Sequence, residues 1–252
     1  METLHYMIWP SVTFLVTWLG LGCSFAFLDM FQPEWYRKKY VGNPKWYRSM
    51  EVTEFINLLK CNFQNLQIMF FCFFTCVYLR NRIFNSDSLF LYFFQSTFVG
   101  PGIWIWRIMF ETTGATIWGE VWFFIVHRIA HLPQMRHWHA KHHEYSQISF
   151  ALVGLYCSWQ EIVFVNFPLG LGWAILIKMD PIILSVWLLF AAIHILTNHN
   201  STIVFTLPFD NAIYHLEHHR SRLDHFGASW IYSLTQFFGM KHHRVPMFSS
   251  CK

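Results

Sequence analysis

Charge is scarce in this sequence. Lys, Arg, Asp and Glu together make up 13% of its 252 residues, where a soluble domain carries nearer to about 25%. With 54% hydrophobic and 20% aromatic residues, the shortfall argues against an ordinary soluble globule and for an integral membrane protein in a lipid bilayer. The formal net charge of +4 leaves no nucleic-acid footprint, so no nucleic-acid partner is expected. Cysteine pairs are also missing. The six cysteines are scattered, with no C-x-x-C, so neither zinc-finger spacing nor a disulfide framework is expected, and most read as buried free thiols. The N-terminal apolar stretch lacks the basic n-region of a cleaved signal peptide and reads as a retained anchor.

What is present is punctuated by charge. Met7 to Met30 is a long apolar run. At about 1.5 Å per residue it can cross a hydrocarbon core of about 30 Å. Gln32 to Lys60 is polar and basic, with Trp35, Tyr36, Trp46 and Tyr47 interleaved among the charges, as at a bilayer interface. A second span is expected from about Phe63 to Leu79, ending at Arg80 and Arg82. Leu89 to Met109 is broken by Gly100, Pro101 and Gly102 and reads as a third span or a re-entrant segment. Thr112 to Gln134 reads as a helix. Trp159 to Lys178 and Ile182 to about Ile195 read as an apolar hairpin turning at Met179, Asp180 and Pro181. The expected fold is an all-α, multi-span membrane bundle. An anchoring region over 1–110, with two or three spans and a basic loop, precedes a second region over 111–252 that contains the 159–195 hairpin.

Histidine is concentrated where the function should be. Fourteen of fifteen histidines follow position 126. His127 and His131 form H-x-x-x-H; His139, His142 and His143 form H-x-x-H-H; His215, His218 and His219 repeat that spacing. Imidazole is the commonest protein metal ligand, and eight clustered imidazoles are too many for one ion and about right for two. Residues four apart stack on one helix face, so His127 and His131 can grip one ion together. In each H-x-x-H-H the first and fourth positions share a face while the fifth sits beside them, which lets one segment serve two ions. His199, at the end of the hairpin, is the best candidate for a ninth ligand. Glu120, two turns before His127, and His194, one turn deeper than His199, are candidates to orient a ligand or to sit in the core. His5, His242 and His243 read as surface residues. A hairpin that leaves and re-enters one membrane face returns the boxes at 127–143 and 215–219 to the same side. If 89–109 does not span, the basic 37–48 loop lies opposite the histidines; if it does, the loop shares their face.

All-imidazole coordination suits iron, zinc or copper. Structural zinc would want four ligands and usually cysteine. Two ions with three or four imidazoles each, and open positions, suit oxygen activation by non-haem iron.

These residues also carry a family resemblance. Trp-Phe-Phe-Ile-Val-His-Arg-Ile-Ala-His, His-Ala-Lys-His-His, Asn-His-Asn-Ser and His-Leu-Glu-His-His-Arg-Ser-Arg-Leu-Asp-His-Phe-Gly resemble, in order and spacing over about 115–240, the fatty acid hydroxylase superfamily, which includes sterol desaturases and sterol methyl oxidases. The resemblance implies a nine-ligand set of His127, His131, His139, His142, His143, His199, His215, His218 and His219. Glu120 and Trp122 fall on an acidic and an aromatic position of the pattern, and Asp224 opens the segment after the last box. The implied chemistry is oxidation of an unactivated C–H bond of a sterol or fatty-acyl lipid by O2 and two electrons at two iron ions, giving an alcohol or an alkene. No bound flavin, haem or nicotinamide is expected, because no fingerprint for one is present. Electrons are therefore expected from an external donor such as cytochrome b5 and its NAD(P)H reductase. That places the protein in the endoplasmic reticulum with the metal site facing the cytosol. Trp118, Trp122, Phe150 and Trp159 are candidate lining residues of a tunnel through which substrate enters sideways from the bilayer. Two other classes compete: an acyl-CoA desaturase with a longer first box, and a histidine-rich metal transporter or metal-binding protein without oxidase activity, which would place its ligands at mid-membrane.

Overall fold

The computed structural model describes residues 2–83, 101–204 and 212–222. Among them the fold is all-α, with a single isolated bridge between Tyr40 and Thr202. The helices are α1 (Glu2–Phe31), α2 (Val52–Ile83), α3 (Pro101–Ala130), α4 (Trp159–Ile177), α5 (Pro181–Asn198) and α6 (Ala212–Ser221). Three stretches are long and apolar enough to cross a membrane: Tyr6–Phe31 of α1, α4 and α5. The chain is an integral membrane protein.

The expected 63–79 span lies inside the 32-residue α2; Gln64, Asn65 and Gln67 dilute its apolar run, and it is not among those three. Two expectations about helix bounds change. The break expected between Met109 and Thr112 is absent, and α3 runs unbroken from Pro101 to Ala130. Glu111 does not interrupt it because Arg107, one turn earlier, pairs with its carboxylate at 2.6 Å, and the Asp180 backbone N–H donates to it at 2.9 Å. The helix ends at Ala130 rather than at Gln134, ahead of Pro133, which disfavours helical geometry in the residue before it. Leu89 to Gly100 lie outside the described residues.

Successive helices alternate in direction. At one end Tyr6 Oη donates to the Ala174 carbonyl (3.0 Å), and Arg107 reaches Asp180 (3.5 Å). The α4–α5 hairpin turns there. Lys178 takes a left-handed conformation (φ 54°), and Asp180 caps α5 by accepting from the N–H groups of Ile182 and Ile183, with Pro181 at the first helical position. Proline suits that position because its missing N–H would have no helical partner.

The histidines gather at the other end, and the basic loop is stitched to them. Val41 N–H donates to Ser201 O (2.8 Å), Ile203 N–H to Lys39 O (3.1 Å), and Arg220 Nη2 to Val41 O (2.7 Å). Tyr36 Oη donates to Asp29 Oδ1 (2.6 Å) and accepts from Asn200 Nδ2 (2.9 Å). Of the two orientations open from the sequence, the structure has the loop on the histidine face.

The core lies between α1 and α5, which pack along their lengths, and α2 closes it. Between the second histidine box and α4, the buried turn Ala151–Leu155 carries backbone polar groups that need partners. Apolar surroundings make unsatisfied groups costly. Asn62 and Asn65, one turn apart on α2, supply them. Asn62 Nδ2 donates to Leu152 O (2.9 Å), and its Oδ1 accepts from Trp18 Nε1 (2.9 Å). Asn65 Nδ2 donates to Leu155 O (2.7 Å) and Cys157 O (3.0 Å).

Candidate metal centre

Four pieces of chain deliver imidazoles to one place. His127 rides the last turn of α3, and His131 follows within the same helical turn, its N–H bonded to His127 O (3.2 Å). Box two lies on consecutive right-handed turns, Arg136–His139 and His142–Tyr145, joined by Ala140 and Lys141 in helical conformation. Box three lies on α6. His199 is the residue just past α5.

The nine imidazoles fall into two groups. His127, His131, His139, His143 and His218 form one; His142, His199, His215 and His219 form the other. Within each group one ligand atom per residue lies within 4.8 Å of all the others. The groups touch, with His139 and His142 ring centroids 5.0 Å apart and His143 and His219 4.7 Å apart. The split is crosswise. Box two sends its first and fifth positions to the five-histidine group and its fourth to the other, and box three does the reverse. It is therefore the i, i+4 pair that shares a group, not the i, i+3 pair expected from the sequence. A four-residue step returns close to the same helix face, whereas the three-residue step falls short by about 60°.

The ring nitrogens explain why this fits metal. His139 Nε2 faces His127 Nε2 (2.8 Å) and His143 Nε2 (2.9 Å), and His215 Nε2 faces His199 Nε2 (2.8 Å) and His219 Nε2 (3.2 Å). A neutral imidazole nitrogen carries either a hydrogen or a lone pair, so such clusters cannot satisfy one another; a cation accepting every lone pair can. His199 is already set for this. Its Nδ1–H donates to Ile195 O (2.8 Å), which leaves Nε2 as the lone pair. Burial, the largest cause in each case, keeps the rings neutral. It lowers His131 and His199 to about 4 and His143 to about 3, and holds His139, His142, His215 and His219 well below the usual histidine value. Gly154 permits the packing of His199: a Cβ there would collide with Ile195 and come within 3.2 Å of His199 Nδ1.

A narrow cavity of about 70 Å³ leads to the four-histidine group. All five long helices line it, through Phe14, Met69, Phe123, Leu169 and Trp187 among others, and it ends at His142, His199, His215 and Glu161. His194 also lines it, and its Nε2 lies 2.8 Å from Asn198 Nδ2. Glu120 is buried two turns below His127. Asp224 lies outside the described residues.

None of the four aromatics expected at a tunnel lines this cavity, and Trp159 lines a second one beside Lys141 and Cys157. Much of α4 is π-helical, and Pro168 offers no N–H to Phe164 O four residues before it; Trp122 Nε1 donates to that carbonyl at 3.2 Å. Trp118 Nε1 donates to Pro168 O at 2.7 Å and stacks on Trp122. Phe150 is buried under Arg48 and beside Tyr145. Trp159 is 57% exposed.

One residue escaped the sequence reading. Glu161, 2% exposed, sits with Oε1 2.9 Å from His139 Nδ1 and 4.0 Å from His142 Nδ1. Its signal was its isolation as the single carboxylate between Trp159 and Lys178.

A family model described as fatty acid hydroxylase matches residues 112–240, about half of the chain and all nine histidines. The chain belongs to the fatty acid hydroxylase family. No curated protein and no solved structure matches it. Membership makes it a membrane oxidoreductase of the lipid hydroxylase and desaturase type, with a histidine-rich site compatible with non-haem iron.

Proposed function

We propose that this chain is a di-iron oxidoreductase that hydroxylates or desaturates an unactivated C–H bond of a sterol or fatty-acyl lipid. The observation that carries the reading is the apolar cavity ending on the four-histidine group, beside a second group of five. The iron pair would supply O2 activation and C–H cleavage. For hydroxylation, R–H, O2, two electrons and two protons give R–OH and water; for desaturation, the second hydrogen leaves and two waters form.

The chain's own residues do the rest. His127, His131, His139, His143 and His218 would hold one ion, and His142, His199, His215 and His219 the other. The five-histidine group would offer its ion five imidazoles, whereas the four-histidine group borders the cavity and would leave its ion room for a further ligand. Phe14, Phe123, Leu169 and Trp187 exclude water and aim the lipid chain. A membrane transporter would place its ligands at mid-membrane on facing helices; here they lie at one end of the bundle.

Electrons come from outside, through a carrier such as cytochrome b5 and its reductase. The basic loop on the histidine face supports a cytosolic site under the positive-inside rule, and the endoplasmic reticulum is the fitting membrane. The test is lipid profiling of a host expressing the wild type or His142→Ala. A hydroxylated or newly unsaturated lipid should appear with the wild type alone, and the purified protein should carry two irons. Unchanged lipids from a metal-loaded wild type would favour a metal-binding protein without oxidase activity and end the reading.

A further inference from the structure

We infer that Glu161 is a positioning residue that couples the two metal groups, an inference that rests on the reading above. Its Oε1 is 2.9 Å from Nδ1 of His139, in the five-histidine group, and 4.0 Å from Nδ1 of His142, in the four-histidine group. Oε1 lies off the His139 N–H axis. His142 Nδ1 also has the Tyr156 backbone beside it, whereas His139 Nδ1 and Glu161 Oε2 are buried polar atoms without a hydrogen bond. Buried polar groups in native proteins are rarely left so. A small turn of the His139 ring aligns its N–H with the carboxylate.

A carboxylate that accepts Nδ1–H fixes the tautomer, presents Nε2 to the ion and raises its basicity. With cations bound in both groups, its ionised form would be favoured and would place one negative charge between two sites whose nine imidazole ligands carry none. His142 has a second neighbour in the Tyr156 carbonyl, so the directional contact is to His139 and the charge acts on both.

The local fold dedicates Glu161 to this place. Ser158 caps α4 by accepting from Glu161 N–H (3.2 Å), and its hydroxyl donates to Trp138 O (2.6 Å), tying the start of α4 to the turn that carries His139. Ser-x-x-Glu usually forms a reciprocal box, the glutamate reaching back to the serine N–H. Here the serine half is made, while the glutamate points to the histidines.

The test uses full-length protein in nanodiscs, loaded with Co²⁺. Chelator extraction is followed by metal analysis, and the visible spectrum reports coordination. Wild type should hold two ions. Glu161→Gln should bind them about 10–100-fold more weakly with a changed spectrum, and Glu161→Asp should recover part of the loss. Glu144→Gln should match wild type, since Glu144 is bonded to the Tyr156 hydroxyl. Thermal melting of the metal-free forms reports folding separately. If Glu161→Gln matches wild type in extraction and spectrum, the inference fails alone. If the wild type binds no metal, the proposed function fails with it.

Discussion

Asn65 donates its side-chain amide to two carbonyls at once, Leu155 at 2.7 Å and Cys157 at 3.0 Å. It thereby holds the buried turn between the second histidine box and α4. Asn65→Leu is nearly the same size but leaves the two carbonyls with weak thiol donors only, Cys157 Sγ to Leu155 O (3.8 Å) and Cys61 Sγ to Cys157 O (3.7 Å). Each unpaired buried group costs about 1–3 kcal/mol. The variant should melt well below wild type in detergent, and metal should leave more easily because the turn also supports Gly154 against His199. An unchanged melting temperature would mean that water or backbone movement satisfies those carbonyls.

Removing ligands should not be symmetrical. His199→Ala takes the four-histidine group down to three, so metal content should fall from two ions to one. His131→Ala leaves four imidazoles in the other group, and the count should stay near two with altered coordination. Metal analysis of both purified variants decides it. Equal losses would show that the ions are not divided between these groups.

How much of this was legible depended on range. The boxes were visible because their spacing is local, and the hairpin because Asp180 and Pro181 mark its turn. The crosswise split was not visible, because it depends on how the turns at 136–145 face α6. Asn62 and Asn65 look like flaws in an apolar helix until the Ala151–Leu155 turn is beside them. Glu161 was hidden by its position in a Ser-x-x-Glu sequence, which reads as a helix start. Trp118 and Trp122 are bulky and near a box, but the carbonyls that claim their indoles belong to α4, more than forty residues away.

Acid should unfold the metal-free protein through its histidines. Burial lowers His131 and His199 to about 4 and His143 to about 3 in the folded state, against about 6.5 in an unfolded chain. Above that value neither state binds the proton, and the full stability is present. As pH falls, the unfolded chain takes up protons that the folded one refuses, so stability declines from about pH 6.5 toward about 4. Loading both sites with metal should move the decline to lower pH, since bound ions hold the lone pairs. Melting temperature against pH, with and without metal, checks this. A metal-free profile flat across that window would contradict the burial of these rings.

Substrate length should be set where α4 borders the cavity. Gly170 lines the cavity, and a Cβ added there would meet nothing within 4 Å. Gly172, two residues on, is different: a Cβ there would lie 2.8 Å from Trp118 Nε1. Gly170→Leu should therefore fold, hold two ions and put its side chain into the space meant for the lipid. Replacing a helical glycine also recovers about 0.5–1 kcal/mol of backbone entropy, which favours stability. Gly172→Leu should damage packing against Trp118 and lose protein yield. With the host lipids as substrates, Gly170→Leu should shift product toward shorter or slimmer chains, or abolish it, without loss of metal. A Gly170→Leu enzyme whose product spectrum matches wild type would show that lipid reaches the four-histidine group by another route.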